Sequence, residues 1–178
     1  MQPPEQVARI LRQPNPYTEV VLGLWSLLES SSDFCTLVAP GNRIKFLGES
    51  RSPIKTEVSD ADLPEVRIVP TGSTPHAHAA SNMHRETVRY EVQLSTGDQR
   101  LDALVNPLRW IITRAMLNVH DHLKNAVMFA GLRIVVLARP SSVTDGVSQA
   151  DMNRQIRGWA ALWACEVDTV YPASAIRP

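Results

Sequence analysis

The spacing of apolar residues predicts two amphipathic helices. Residues 17–31 carry apolar side chains three and four positions apart, and the Asn15-Pro16 pair before them is typical of a helix start, with Asn as the cap and Pro in the first turn. A longer stretch, residues 98–123, has the same period. Its apolar positions are Leu101, Leu104, Val105, Leu108, Ile111, Ile112, Ala115, Met116, Val119 and Leu123. Each helix has one apolar stripe and therefore needs a second layer to cover it.

The start of the second helix stays open because of Pro107. If Asp98 is the N-cap, Pro107 lies inside the helix and kinks it; if the helix starts at Asn106, Asn-Pro is a cap followed by the first helical residue. His120 and His122 are interpreted as residues of the helix C-terminus, where protonated imidazole suits the negative end of the dipole.

Alternating residues predict a strand at 86–95, with Val88 and Tyr90 on one face and Arg89 and Glu91 on the other. Shorter strands are predicted at 43–47, 65–70 and 132–138, and a long last strand at 156–170. The intervening stretches, residues 48–63, 71–85 and 141–154, are polar and rich in turn residues, and are predicted to be loops.

These elements predict an α+β fold, a mostly antiparallel sheet of about five strands with two amphipathic helices packed on one face. Residues 1–15 are predicted to be a Pro-rich N-terminal arm, and residues 16–178 a single domain. Helices on one face leave the other face to solvent or to another subunit. An alternative is a monomer in which the arm folds over that face.

The last strand favours the subunit, because it is apolar on both faces over residues 160–164. We therefore predict a subunit interface at Trp159, Leu162, Trp163, Arg89 and Glu91.

Composition disfavours several classes of function. The 178 residues include 18 basic and 18 acidic side chains, and this balance disfavours a protein that grips nucleic acid mainly through phosphates. Apolar runs are too short to span a bilayer, and the first residues lack the apolar core of a signal peptide, so we expect no membrane association. Cys35 and Cys165 are expected to be free buried thiols.

No catalytic arrangement stands out. His76, His78 and His84 include a pair suited to zinc, but they lack further ligands with the right spacing and are interpreted as part of a polar loop. Nucleophile and phosphate-binding motifs are missing, and the carboxylates Asp60 and Asp62 have nothing beside them to tune their pKa. We therefore predict no enzymatic activity, no cofactor and no metal.

The remaining aromatic and basic residues receive structural interpretations. Trp25 and Trp110 are assigned to the core between helix and sheet. Arg67, Arg89 and Arg114 are assigned to a solvated mixed-charge surface, with a surface that faces DNA as the alternative.

The order of elements resembles the tail terminator and tail-completion (head–tail joining) proteins of long-tailed bacteriophages. The resemblance covers residues 17–171 and includes the first helix, the Ala39-Pro40-Gly41 turn, the strand ending at Pro70, the alternating strand, the long helix and two closing strands. It implies a virion structural protein, made in the bacterial cytoplasm, that caps the tail tube and connects it to the neck. Its subunits would form a hexameric ring through which DNA passes, and residues 48–63 and 71–85 would be contact loops.

A second hypothesis is a small soluble protein-binding module without catalytic activity, which would use the same face of the sheet, the one that the helices leave uncovered. It predicts a stable monomer at micromolar concentration.

Overall fold

The computed structural model describes residues 13–44, 64–76, 82–96, 105–147 and 159–175. The helices are α1 (Pro16–Glu29), α2 (Ser32–Leu37), α3 (Asn106–Leu117) and α4 (Val119–Ala126). The strands are β1 (Arg43–Ile44), β2 (Glu65–Pro75), β3 (Met83–Thr96), β4 (Met128–Phe129), β5 (Leu132–Arg133), β6 (Val135–Val147) and β7 (Trp159–Pro172). Most of the predicted N-terminal arm and the whole predicted loop at residues 48–63 lie outside these ranges.

The described strands form a five-stranded sheet in the order β1-β2-β3-β7-β6 and a small β4-β5 hairpin. Strands β3 and β7 pair antiparallel along their whole length, from Met83 opposite Pro172 to Thr96 opposite Trp159. Only the β1-β2 pair, among those described, is parallel. The predicted α+β class with a mostly antiparallel sheet is confirmed.

The core lies between one face of the sheet and the helices, which confirms the predicted packing. Alternate residues of the two central strands face the helices and are buried: Val88, Tyr90, Val92, Leu94, Ala161, Trp163, Cys165 and Val167. The helices fill the other side of this core. Helix α1 contributes Val20, Leu24 and Leu28, and helices α3 and α4 contribute Leu108, Ile112, Met116 and Leu123.

The first helix begins as predicted. The Asn15 side chain accepts a hydrogen bond from the Thr18 N–H at 2.8 Å, and Pro16 follows in the first turn. The second predicted helix is instead two helices, because the backbone leaves helical geometry at Asn118 (φ −99°, ψ 10°). Pro107 lies in the first turn of α3, where its missing N–H costs no helix hydrogen bond.

The interpretation of His120 as a C-terminal residue is wrong. His120 lies in the first turn of α4, and its Nδ1 accepts a hydrogen bond from the Ala138 N–H of β6 at 3.2 Å. The side chain therefore ties α4 to the edge of the sheet.

Two predicted loops are partly strands. Residues 71–75 continue β2 and residues 83–85 begin β3, so the two strands pair beyond the predicted end at Pro70. Likewise β6 continues through Pro140 to Val147. The register shifts between Pro70 and Gly72 and between Pro140 and Ser142, which accommodates proline in strands at or near the edge of the sheet.

Gly23 of α1 packs closely against Leu123 of α4 and against Val127, which follows α4. A Cβ at this position would lie 2.6 Å from Val127 Cγ2 and 2.9 Å from Leu123 Cδ2. Alanine is usually better than glycine inside a helix, by about 1 kcal/mol. We expect the reverse for Gly23→Ala, a loss of about 1–3 kcal/mol in the free energy of unfolding, because the added methyl overpacks this contact.

Urea denaturation measures the effect, with Ser26→Ala on the exposed side of α1 as the control. The control should change the free energy of unfolding by less than about 0.5 kcal/mol. A Gly23→Ala protein more stable than wild type would show that α1 and α4 are packed less closely than the structure indicates.

Candidate assembly surface

The face of the sheet opposite the helices carries polar side chains in a regular pattern. In β3 and β7 the register places Arg89 opposite Glu166, Glu91 opposite Ala164 and Gln93 opposite Leu162. The neighbouring strands β2 and β6 have residues opposite these positions in the sheet, and their side chains therefore lie on the same face: Glu65, Arg67, Arg139, Ser142 and Thr144. We call this surface the open sheet face.

Charges on the open sheet face are paired within the face. Arg89 Nε donates to Glu91 Oε1 at 3.3 Å, Arg139 Nη2 lies 2.7 Å from Glu166 Oε2, and Arg67 pairs with Glu65. In the pairs at Glu65 and Glu91 the acidic side chain is 14% exposed and the arginine side chain 41%. The face is therefore electrically balanced, with its arginines outermost.

The apolar part of this face includes Leu162 and Ala164 of β7, Val69 of β2 opposite Glu91, and Leu137 of β6 opposite Asp168. Leu162 is half-buried between Gln93 of β3 and Thr144 of β6, and Ala164 is buried although none of the described helices lies on this side of the sheet. A partner on this face would therefore meet apolar side chains at Leu162 with polar side chains of the neighbouring strands around them.

Of the five residues predicted for the interface, the structure brings Leu162, Arg89 and Glu91 together on the open sheet face. Trp163 lies on the other face, 1% exposed, and its Nε1 donates to Thr113 Oγ1 of α3 at 3.0 Å. Trp159 starts β7, and its side chain lies outside the described part of the structure.

Two other interpretations need correction. Trp25 is buried in the core as predicted, but Trp110 is 61% exposed on the outer side of α3. Arg67 and Arg89 share the open sheet face, whereas Arg114 belongs to α3 in the helix layer and is not part of that surface.

At one end of the open sheet face, His76, Thr87 and Asp168 have residue types seen in catalytic triads. His76 Nε2 lies 2.7 Å from Thr87 Oγ1, but the same nitrogen is the one nearest Asp168, at 4.0 Å. A triad needs the two ring nitrogens to serve the two partners separately. Asp168 instead accepts hydrogen bonds from Arg85 Nε at 3.2 Å, so the group forms a structural ion pair.

The other predicted ligands do not gather around a metal. His78 lies outside the described ranges, and His84 is directed at Glu86 rather than at His76. Within the described residues there is no group of three or more histidine, cysteine, aspartate or glutamate side chains able to hold a metal ion.

Glu86 is a buried carboxylate that the sequence analysis missed. Its oxygens accept hydrogen bonds from Tyr17 at 3.0 and 3.1 Å and from Tyr171 at 3.3 Å, and His84 Nε2 lies 3.1 Å away. The Tyr171 ring also packs edge-on against Phe129 of the β4-β5 hairpin. The signal was present in the sequence, because Glu86 is in phase with the core residues of β3.

The cluster is built to hold a negative charge. Burial by itself raises the pKa of the Glu86 carboxyl, but hydrogen bonds from His84, Tyr17 and Ser73 outweigh it, so that the pKa lies below its ordinary value. Burial and the hydrogen bond to Glu86 raise the pKa of Tyr17. The carboxylate is occupied by internal donors and joins α1, β3 and β7.

The two cysteines lie in different settings. Cys165 is fully buried and its pKa is raised to about 12, chiefly by burial, so its thiol is protonated and unreactive at neutral pH. Cys35 is partly buried, and its Sγ lies 3.4 Å from the Glu29 carbonyl oxygen. Both are free thiols, as predicted.

Comparisons with known proteins identify a shared fold. No protein-family model and no curated protein sequence matches the chain. A chain of the solved structure described as the virion of the native gene transfer agent (GTA) particle has the same fold, with a TM-score of 0.56 and 10% sequence identity. The match covers 85% of this chain and 94% of that chain. None of the described helices has the length and apolar character needed to cross a bilayer.

We expect Glu86→Gln to lower the free energy of unfolding at pH 7 by about 1–3 kcal/mol, because charge-assisted hydrogen bonds become neutral ones. The wild-type carboxyl has a lowered pKa when folded, so its contribution is present above the ordinary glutamate pKa of about 4.3 and is lost as the pH falls through the folded value. The difference between the two proteins should therefore shrink in acid.

Urea denaturation of both proteins at neutral pH and at about pH 3 measures this difference. An exposed carboxamide substitution, Asp121→Asn in α4, is the matched control and should leave the free energy of unfolding nearly unchanged. A penalty for Glu86→Gln that is equal at both pH values would contradict the assignment of a buried ionised carboxylate.

Proposed function

We propose that this chain is a structural protein of a phage or phage-like tail, a ring-forming terminator or joining protein that caps the tail tube and connects it to the neck. The observation that carries the proposal is the fold shared with a chain of a gene transfer agent virion, which extends over 85% of this chain. The order of elements in the sequence supports the same assignment, and the described residues hold no catalytic geometry.

The open sheet face is the surface we assign to contacts between subunits in the ring. It combines an apolar centre at Leu162 with a polar rim, a distribution common in protein interfaces. Its charges are already paired, so a neighbouring subunit does not have to neutralise a net charge on the face. Trp159, at the start of β7, has the same phase along the strand as the core residue Trp163, so the proposed interface is restricted to Leu162, Arg89 and Glu91 of the original five residues.

The exposed residues 71–76 lie at the end of β2, paired with β3, and we assign them to contacts with the tail tube or a neighbouring subunit. The predicted contact loop at residues 48–63 lies outside the described ranges.

A ring around the tail channel would meet DNA only as passing cargo, which suits the neutral charge of the chain. Each phosphate gripped by a free lysine or arginine adds to binding, and tight binding would slow passage. On the open sheet face the arginines already have carboxylate partners. The proposed partners are therefore further copies of the chain, the tail tube protein and the neck, in a hexameric ring, with no cofactor and no catalysis.

We expect Leu162→Asp to abolish ring assembly while leaving the subunit folded, because it puts an unpaired charge at the centre of the interface. Light scattering over a range of protein concentrations, with and without tail tube protein, measures the mass, and circular dichroism checks the fold. Thr144→Arg, an exposed neighbour on the same face, should act in the same way without touching the core.

Ser174→Asp adds the same charge as Leu162→Asp at an exposed site outside this face and should assemble like wild type. Full assembly of both Leu162→Asp and Thr144→Arg would remove the open sheet face as the interface. A wild-type protein that stays monomeric at every concentration, even with tube protein, would contradict the ring and favour a protein-binding module.

A further inference from the structure

Helices α1, α2 and α3 carry charges of one sign each, unlike α4, which carries Asp121 and Lys124, and unlike the open sheet face. Helices α1 and α2 carry the acidic residues Glu19, Glu29 and Asp33 and no lysine or arginine. Helix α3 carries Arg109 and Arg114 and no acidic residue. The layer therefore presents an acidic region beside a basic helix.

Several of these charges have no partner within the described chain. Glu29 pairs with Arg43 at 3.4 Å, whereas Glu19, Asp33 and Arg114 make no ion pair with any described residue. Their positions near helix ends suit the helix dipole, which gives each charge a local reason to be where it is. The dipole does not account for the apolar side chains that surround Arg114.

Trp110 and Leu117 are the most exposed large apolar side chains of the described structure, at 61% and 69%. They lie seven residues apart on α3, two turns along one side of the helix, with Arg114 between them and the buried Leu108 and Ile112 on the opposite side. We call Trp110, Arg114 and Leu117 the α3 ridge. A ridge that exposes a tryptophan and a leucine around an arginine is typical of an interface rather than of a solvated helix.

The complementary surface is present in the same chain. Beyond its first turn, α1 is buried except along an outer stripe that includes Leu22 and Ser26 and continues from Glu19 in the first turn. Asp33 is exposed at the start of the adjacent α2. We call this stripe together with Asp33 the acidic stripe. It offers the carboxylates of Glu19 and Asp33 to Arg114 and the partly buried Leu22 to the apolar residues of the ridge.

We propose that the α3 ridge of one copy docks on the acidic stripe of a second copy. Both surfaces belong to the same helix layer, so a two-fold rotation places each ridge on the other copy's stripe and both contacts form at once. Glu19, Asp33 and Arg114, which make no ion pair with the described residues of their own chain, then pair across the interface. This contact does not rest on the proposed tail function and uses the layer opposite the open sheet face.

Sedimentation equilibrium of the Leu162→Asp protein tests the contact, because that change disables the proposed ring interface and leaves the helix layer intact. We expect this protein to form a dimer, and Arg114→Glu added to it to raise the dimer dissociation constant by about tenfold or more. Lys124→Glu, the same charge change at an exposed site on α4, is the matched control and should leave the dissociation constant unchanged.

A mixing experiment tests the pairing itself. The Arg114→Glu protein has an acidic ridge, and a Glu19→Arg/Asp33→Arg protein has a basic stripe, so neither should pair with itself. In the mixture each ridge meets a stripe of opposite charge at both contacts, and a heterodimer should form. High salt should weaken this heterodimer.

The proposal would be overturned if the Leu162→Asp/Arg114→Glu protein dimerised as strongly as the Leu162→Asp protein. It would also be overturned if the Leu162→Asp protein were monomeric at every concentration. Failure of the proposed ring gives a different result, because the Leu162→Asp protein would then assemble to the same mass as wild type. In that case the Arg114→Glu change, made alone in the wild-type protein, still tests the helix contact.

Discussion

The antiparallel pairing of β3 with β7 is the interaction on which the rest of the structure depends. Because the two strands stay in register from end to end, successive side chains alternate strictly between two different environments. One set forms the floor of the core under α1 and α3, and the other forms the open sheet face. A shift by one residue would exchange the two sets and place Arg89 and Glu91 beneath the helices. The buried ladder of Tyr90, Val92 and Trp163 therefore specifies both the core and the surface.

Local signals in the sequence were sufficient for much of this architecture. The cap at Asn15 and the alternation in residues 86–95 report interactions within a few residues, and both predicted the observed elements. The break at Asn118 and the strands at 71–75 and 141–147 depend instead on partners distant in sequence. Polar residues around Pro70 and Pro140 are extended because a neighbouring strand supplies hydrogen bonds, and their own composition favours a loop.

The candidate surface could be predicted only in part from the sequence, because local alternation separates the two faces of a strand but does not tell which face the helices cover. Leu162 and Trp163 are adjacent in one strand and must face opposite sides, so alternation already separates them. Which of the two is covered depends on where α3 packs, and Thr113 settles it through its hydrogen bond from Trp163. The apolar character of Trp110 predicts burial, but its side chain is exposed. Helix α3 packs on the sheet with only one side, and Trp110 lies on the other side. The segregation of charge between helices likewise emerges only when the layer is assembled.

The edge strand β6 has a consequence for how the molecule can grow. Its ladder is irregular between Val135 and Leu137 and again between Pro140 and Ser142, and Pro140 has no N–H to offer. An extended chain cannot lie along such an edge and form an unbroken row of hydrogen bonds, so strand-by-strand polymerisation into fibrils is blocked at this side. Growth by addition of strands is therefore disfavoured at this edge, and a further copy of the chain would have to bind through another surface. A protein that must reach high local concentration without precipitating gains from having such an edge.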